Sequence, residues 1–300
     1  MSDAAQYRAL VGDLLTWLRQ NETPQGAWYW DEDPAPVVEP PAKEAVAPKA
    51  PAAPAATVSD AAPDSPDDDP FAAECEAFVA AAMERIGSHR AESEALPGLE
   101  ETAPPADPAS ALDALRQEVL PCIACGLAET RKNVVFGSGS ARAELMIVGE
   151  APGRDEDIQG QPFVGRSGQL LTKILAAIGL RRDEVYIGNI LKCRPPDNRD
   201  PLPPEVLACE PHLRRQLAII RPRLICCLGR VAAQTLLRTS TSLTRLRGEV
   251  HFYGDIPVLA TFHPAYLLRN PAAKRDAWND VRMMKALMEA LAAADPGRGA

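Results

Sequence analysis

The sequence predicts a three-layer α/β/α domain around a central, mostly parallel sheet of about four strands, preceded by a largely disordered extension. Four short apolar runs of β type, at 145–149, 185–191, 224–228 and 257–261, are separated by segments of helical character. Strands that alternate with helices imply a parallel sheet. Each run ends in a polar or Gly-rich signature: Glu150-Ala151-Pro152-Gly153, then the segment 189–196, then Gly229-Arg230, then His263-Pro264. An open parallel sheet binds its ligand beyond the carboxyl ends of its strands, so these distant signatures are expected to share one crevice. The third observation is a break in composition. Residues 1–110 hold 6 Lys+Arg and 21 Asp+Glu, a charge of −15, whereas residues 111–300 hold 26 and 20, a charge of +6.

The division is accordingly expected at 110/111. Residues 31–70 and 97–108 are rich in Pro, Ala and acid and too poor in large apolar side chains to bury a core. Within the extension, Leu10, Val11, Leu14, Leu15 and Leu18 share one helical face, and Phe71, Phe78, Val79, Met83 and Ile86 suggest a second short helix. Trp28, Tyr29 and Trp30, beside Asp31, Glu32 and Asp33, have the composition of a linear motif for a protein partner, or of a cluster packing on the first helix.

The folded part reads in order. A short helix over 111–120 leads to Cys122-Ile123-Ala124-Cys125. After the first strand, Ser167 is the expected N-cap of a helix to about 178, closed by Gly179. After the second, Pro203-Pro204 opens a helix to about 220, since Pro is tolerated in a first turn. The third strand precedes a helix over 231–237, residues 248–261 hold one or two strands, and a long helix over 274–293 closes the chain.

Composition narrows the function classes. No apolar run reaches the ~18 residues needed to span a bilayer. The start lacks the pattern of a signal peptide, because Asp3, Asp13 and Glu22 interrupt it, so a cytoplasmic protein, monomeric and without membrane association, is expected. A basic folded half suits a polyanionic ligand. Seven cysteines in that compartment favour metal ligands or buried thiols over disulfides. Cys122 and Cys125 have CxxC spacing, Cys193 follows the second strand, and Cys209 lies in the next helix. Four thiolates from two segments suit either zinc or an iron–sulfur centre. Cys226 and Cys227, inside an apolar strand, read as small buried hydrophobes.

Several motifs in order resemble the iron–sulfur uracil-DNA glycosylases, the family-4 branch of the uracil-DNA glycosylase superfamily. They are the CxxC, Gly149-Glu150-Ala151-Pro152-Gly153, DIQGQPFVG at 157–165, YIGNILKCRPP at 186–196, Cys209, and HPAYLLR at 263–269. The resemblance runs from about residue 115 to 290 and says nothing of residues 1–110. It implies a [4Fe–4S] cluster held by Cys122, Cys125, Cys193 and Cys209, and uracil-containing DNA as substrate.

An enzyme that acts on a base takes it out of the duplex, stacks it and reads its edge. Phe163 offers a face for stacking, and Asn189 offers a carboxamide whose donor and acceptor match uracil O4 and N3–H. Cleaving the N-glycosidic bond builds positive charge on the sugar and negative charge on uracil. His263 can donate to O2 as that charge develops. Glu150 is the first choice for the acid that stabilises the sugar or positions water, with Glu156 and then Asp157 behind it. Family-1 enzymes carry Asp where this chain has Ala151, and Glu156 can instead crowd the uracil 5-position. Ala151 and Gly153 let the backbone approach the substrate. Arg166 and Ser167, at a helix start, suit a phosphate. Leu267, Leu268 and Arg269 offer an apolar wedge and a cation for the strand left behind. Each residue has a plainer reading: a core Phe, a turn Asn, a structural His-Pro, solvated loop acids, a cap, amphipathic leucines. The leading function is therefore a monofunctional DNA repair glycosylase that hydrolyses uracil from DNA and leaves an abasic site. A uracil-DNA binder without turnover would carry an extra basic, His-containing loop after the second strand, and residues 193–199 contain no His. A non-catalytic iron–sulfur DNA-binding protein would not need the ordered polar set at the strand ends.

Overall fold

The computed structural model describes residues 71–92 and 105–296. The first predicted helix and the aromatic cluster at 28–30 lie outside the described residues. In chain order the α-helices and strands are α1 (Ala72–Glu92), α2 (Pro108–Val119), β1 (Ser138–Gly139), β2 (Leu145–Gly149), α3 (Arg154–Gln159), α4 (Arg166–Ala177), β3 (Tyr186–Asn189), α5 (Pro203–Ile220), β4 (Leu224–Leu228) and α6 (Arg230–Leu237). Then follow α7 (Leu243–Leu246), β5 (His251–Tyr253), β6 (Ile256–Thr261), α8 (Pro264–Arg269) and α9 (Lys274–Ala294).

The sheet has six strands in the order β1-β3-β2-β4-β6-β5. Its middle is the four-stranded parallel unit the apolar runs predict, β3-β2-β4-β6. The short β1 and β5 add antiparallel edges. Every residue of β2, β3, β4 and β6 is buried, which is why these strands read as continuous apolar runs rather than alternating ones. Alternation still decides which face each residue serves. Met146, Val148, Ile225 and Cys227 pack beneath α2, α5 and α6, while Leu145, Ile147, Leu224, Cys226 and Leu228 pack beneath α1, α4 and α9. Cys226 and Cys227 are thus buried free thiols on opposite faces.

The second predicted helix of the extension is present and longer than expected. α1 runs 21 residues and lies against α9. Its Ala82 and Ile86, 4% and 2% exposed, belong to the same apolar cluster as Leu287 of α9 and Ile147 of the sheet. His89 stacks on Phe252 at 3.7 Å between ring centroids, and its Nε2 is 2.8 Å from the Gly254 carbonyl. α9 uses one apolar stripe for α1 and the sheet, through Val281, Met284, Leu287 and Leu291.

The register levels the strand ends. Gly149 pairs with Asn189, Val148 with Cys227, and Leu228 with Thr261. Pairing continues past the strands, as Leu191 donates its N–H to the Glu150 carbonyl (3.0 Å) and Gly229 to the Thr261 carbonyl (2.8 Å). The four terminal signatures are thereby held at one edge. Among the described residues no helix is long and apolar enough to cross a membrane.

Candidate active site

A pocket of about 400 Å³ opens at that edge. It brings together Glu150, Ala151, Gly153, Glu156, Phe163, Ser167, Asn189, His263 and Arg269 from the predicted set. It also takes in Tyr266, which the sequence reading set at the head of the wedge segment, and Asn198, Asp200 and Ala265, which it did not single out. A volume of this size suits a small ligand such as one nucleotide.

Gly149 lies directly against Asn189 and Phe163. A Cβ there would meet Asn189 Oδ1 and come within 2.7 Å of the Phe163 ring, so amide and ring converge directly above it. Asn189 is 2% exposed, and its Oδ1 has no hydrogen-bond partner among the described residues. A buried acceptor left open costs stability unless something fills it. Asn189 is among the residues that line the pocket, so a ligand there meets this amide. Phe163 stands 5.5 Å from His263 between ring centroids and adopts a left-handed backbone, φ 52°.

That strained loop is held from three sides. Arg182 donates to the Pro162 and Phe163 carbonyls at 2.7 and 2.9 Å. Glu156 Oε1 accepts from the Val164 and Gly165 N–H groups at 2.9 and 3.0 Å. Gly168 lies so close that any Cβ would overlap the Phe163 carbonyl. Glu156 therefore spends one oxygen on loop geometry, while its Oε2 lies where a Cβ on Gly153 would come within 2.7 Å.

His263 lies two residues past β6 and caps α8. Its Nδ1 accepts from the Ala265 N–H at 3.1 Å. Nδ1 thus carries no proton, and the neutral ring keeps its proton on Nε2. Burial, helped by the charge of Arg269, pulls its pKa down to about 4, so the ring stays neutral at pH 7. Glu150 moves the other way. Burial pushes its carboxyl up to about 7, the charge of Asp200 adds to this, and Arg230 opposes it. Arg230 and Asp200 approach at 3.6 Å.

Three expectations change. Leu267 is 2% exposed within a cluster with Ala273 and Ala277, because α8 turns that face onto α4 and the start of α9; of the two leucines, Leu268, 38% exposed, remains available as a wedge. Asp157 faces away from the pocket and accepts from the Lys132 and Asn133 N–H groups at 2.8 and 3.2 Å, which anchors the 131–133 loop. Ser167 is not the N-cap of α4: Gly165 occupies that position, and Arg166 and Ser167 form the first turn. Arg166, Ser167, Leu268 and Arg269 line a groove beside the pocket, joined there by Arg154.

The four cysteines meet about 90 residues of chain apart. Cys122, Cys125, Cys193 and Cys209 line one small cavity with Arg131, Lys192 and His212. All four are free thiols. Among the described residues no three His, Cys, Asp or Glu side chains are drawn together as a site for a metal ion. The cavity nevertheless suits an anionic thiolate centre. Arg131 Nη1 is 3.4 Å from Cys193 Sγ, His212 Nε2 is 3.4 Å from Cys122 Sγ, and the Lys192 N–H points at Cys209 Sγ at 3.2 Å. Burial pushes the Cys209 thiol up to about 12 and raises Cys193 as well, so a bound cation is needed to draw off their protons. Burial also pulls the Lys192 ammonium down to about 8, with Cys209 and Cys193 opposing.

Residues 136–282 match the model of the uracil DNA glycosylase superfamily. The chain is 48% identical over 179 residues to a type-4 uracil-DNA glycosylase of Archaeoglobus fulgidus, covering 57% of this chain and 90% of the relative. A type-4 uracil-DNA glycosylase of Saccharolobus solfataricus is 45% identical over 183 residues, 58% of this chain and 85% of the relative. One from Thermotoga maritima is 41% identical over 182 residues, 59% and 95%.

Proposed function

The chain belongs to the type-4 branch of the uracil DNA glycosylase superfamily and excises uracil from DNA, and from that premise we propose how its own residues do so. The flipped uracil lies over Gly149 against Phe163. Asn189 accepts the uracil N3–H through Oδ1 and donates its amide N–H to O4. The open, buried Oδ1 is the observation that carries this assignment. His263 donates its Nε2–H to uracil O2. As the bond from C1′ to N1 breaks, its electron pair stays with uracil, and a fixed neutral donor stabilises that charge without reorganising. The Glu150 carboxylate faces the sugar. It offsets the positive charge at C1′ and accepts a proton from the water that adds there; the C1′–O bond replaces the C1′–N1 bond to give the abasic sugar, and the proton passes through solvent to the departing uracil anion, which restores the carboxylate. Glu156 holds the stacking loop and walls the pocket beside Gly153. Arg166, Ser167, Leu268 and Arg269 follow the DNA strand in the adjoining groove.

Cys122, Cys125, Cys193 and Cys209 would hold a [4Fe–4S] cluster. The four-thiol lining and its cationic surroundings support that fit. When bound, the group would serve as a clasp joining the CxxC segment, the end of β3 and α5, and so the wall of the pocket. The protein works as a cytoplasmic monomer, and the segment before α1 is the part available to a protein partner.

The reading is tested by single-turnover excision on a uracil-containing oligonucleotide, together with iron and sulfide analysis. Glu150→Gln should lose roughly 10²–10³ in rate while binding DNA normally, on the scale of removing one well-placed electrostatic group. Cys193→Ala should lose iron and sulfide together. A wild-type rate for Glu150→Gln would move the acid role to Glu156, and stoichiometric zinc in anaerobically purified protein would refute the cluster.

A further inference from the structure

Lys192 belongs to both sites. The residue is 1% exposed and is among those lining the cysteine cavity. Its Nζ donates to the Asn189 carbonyl at 2.8 Å, at the root of the base-reading amide. Its backbone is fixed on the cluster side, with N–H to Cys209 Sγ and its carbonyl accepting from Val135 N–H at 2.7 Å. An ammonium has three donors. Among the described residues this one has a single hydrogen-bond acceptor and no carboxylate partner. A buried charge left in that state is strongly unfavourable, so a counter-charge must come from the cavity it lines. The groups there that can carry negative charge are the cysteines, once a metal has displaced their protons.

We propose that Lys192 is a positioning residue: its buried ammonium is the counter-ion of the metal-bound cysteine thiolates, and by gripping the Asn189 carbonyl it makes the aim of the base-reading amide depend on that centre. The inference rests on the cluster and on Asn189 as reader. It gives the cysteine site a second consequence beyond tying segments together, because the state of the thiolates reaches the base through one side chain.

The test uses the full chain with Lys192→Met, similar in length but uncharged, and Lys192→Arg, which keeps the charge. Two readouts are independent of turnover: the rate at which the visible iron–sulfur absorption bleaches in excess chelator, and the inhibition of DNA binding by free uracil. Lys192→Met should bleach roughly tenfold faster and bind free uracil roughly tenfold more weakly, the scale of one lost hydrogen bond to a charged group. Lys192→Arg should bleach within about twofold of wild type. Failure of Lys192→Met to assemble a cluster that Lys192→Arg does assemble would give the same conclusion. Wild-type bleaching and uracil affinity in Lys192→Met would overturn the proposal. So would equal defects in both variants, since shape rather than charge would then matter. A wild-type chain without iron and sulfide would instead sink the cluster assignment itself, and this inference with it.

Discussion

Glu150 is the group whose ionisation the excision rate should follow. Burial raises its carboxyl to about 7, so a substantial fraction is protonated at neutral pH. Only the carboxylate can face a positive sugar or take a proton from water. Single-turnover rate should therefore rise with pH through about 7 and level off above it, and the limb should vanish in Glu150→Gln. His263 adds no inflection there, because it stays neutral down to about 4. Asp200→Asn removes a negative neighbour, so the limb should move to lower pH, and less so at high salt because Asp200 is 47% exposed. A pH-independent rate between 5 and 9 would contradict the role of Glu150. At this scale the sequence exposed the reacting groups, since Glu150 follows β2, Asn189 closes β3 and His263 lies two residues past β6. It did not expose Asp200, Arg182 or Lys192. Their roles depend on what the fold sets beside them, and nothing local distinguishes these three from solvated charges.

The stacking loop is the element on which the pocket depends. Phe163 sits at φ 52°, a region costly for a bulky L-residue, and it persists because Arg182, Glu156 and Gly168 fix it from outside. Gly168→Ala forces a methyl onto the Phe163 carbonyl. Thermal or denaturant unfolding should show a loss of roughly 1–3 kcal/mol, the usual cost of overpacking, with weakened uracil binding. Unchanged stability and affinity would mean the loop is not clamped as described. The element scale also shows why some sequence expectations failed. Pro and Gly signals located the loop, and buried parallel strands announced themselves as apolar runs. β1 had no such run: it is two residues long and exists because Gly139, φ 127°, lets the backbone close on the Val185 carbonyl. Leu267 and Leu268 are adjacent and chemically alike, so only the docking of α8 on α4 and the start of α9 could decide which is buried.

At the scale of the whole molecule, composition marked a tail and a domain and left the tail's second helix to dock either on the domain or on a partner. α1 buries Ala82 and Ile86 against α9, and we place the start of the folded unit at α1 rather than at 111. Removing residues 1–70 should leave stability and excision intact. It should also strengthen non-specific DNA binding at low salt, because most of the −15 charge of residues 1–110 is removed. Removing residues 1–104 should in addition expose the α9 face and lower the melting temperature by several degrees, since each kcal/mol is worth about 2–4 °C in a domain of this size. Equal melting temperatures for the two truncations would show that α1 contributes nothing to the fold. The central claim is that the crevice at the carboxyl ends of the parallel strands reads uracil through the Asn189 amide. Single-turnover excision by Asn189→Asp, on matched oligonucleotides carrying uracil or cytosine, tests it most directly. An ionised Asp only accepts, so it opposes uracil O4 and leaves a buried polar mismatch. Uracil excision should collapse, with a trace of cytosine excision appearing through the N4 amino group, in protein that retains its fold and iron. Excision of uracil at the wild-type rate by that variant would contradict the account.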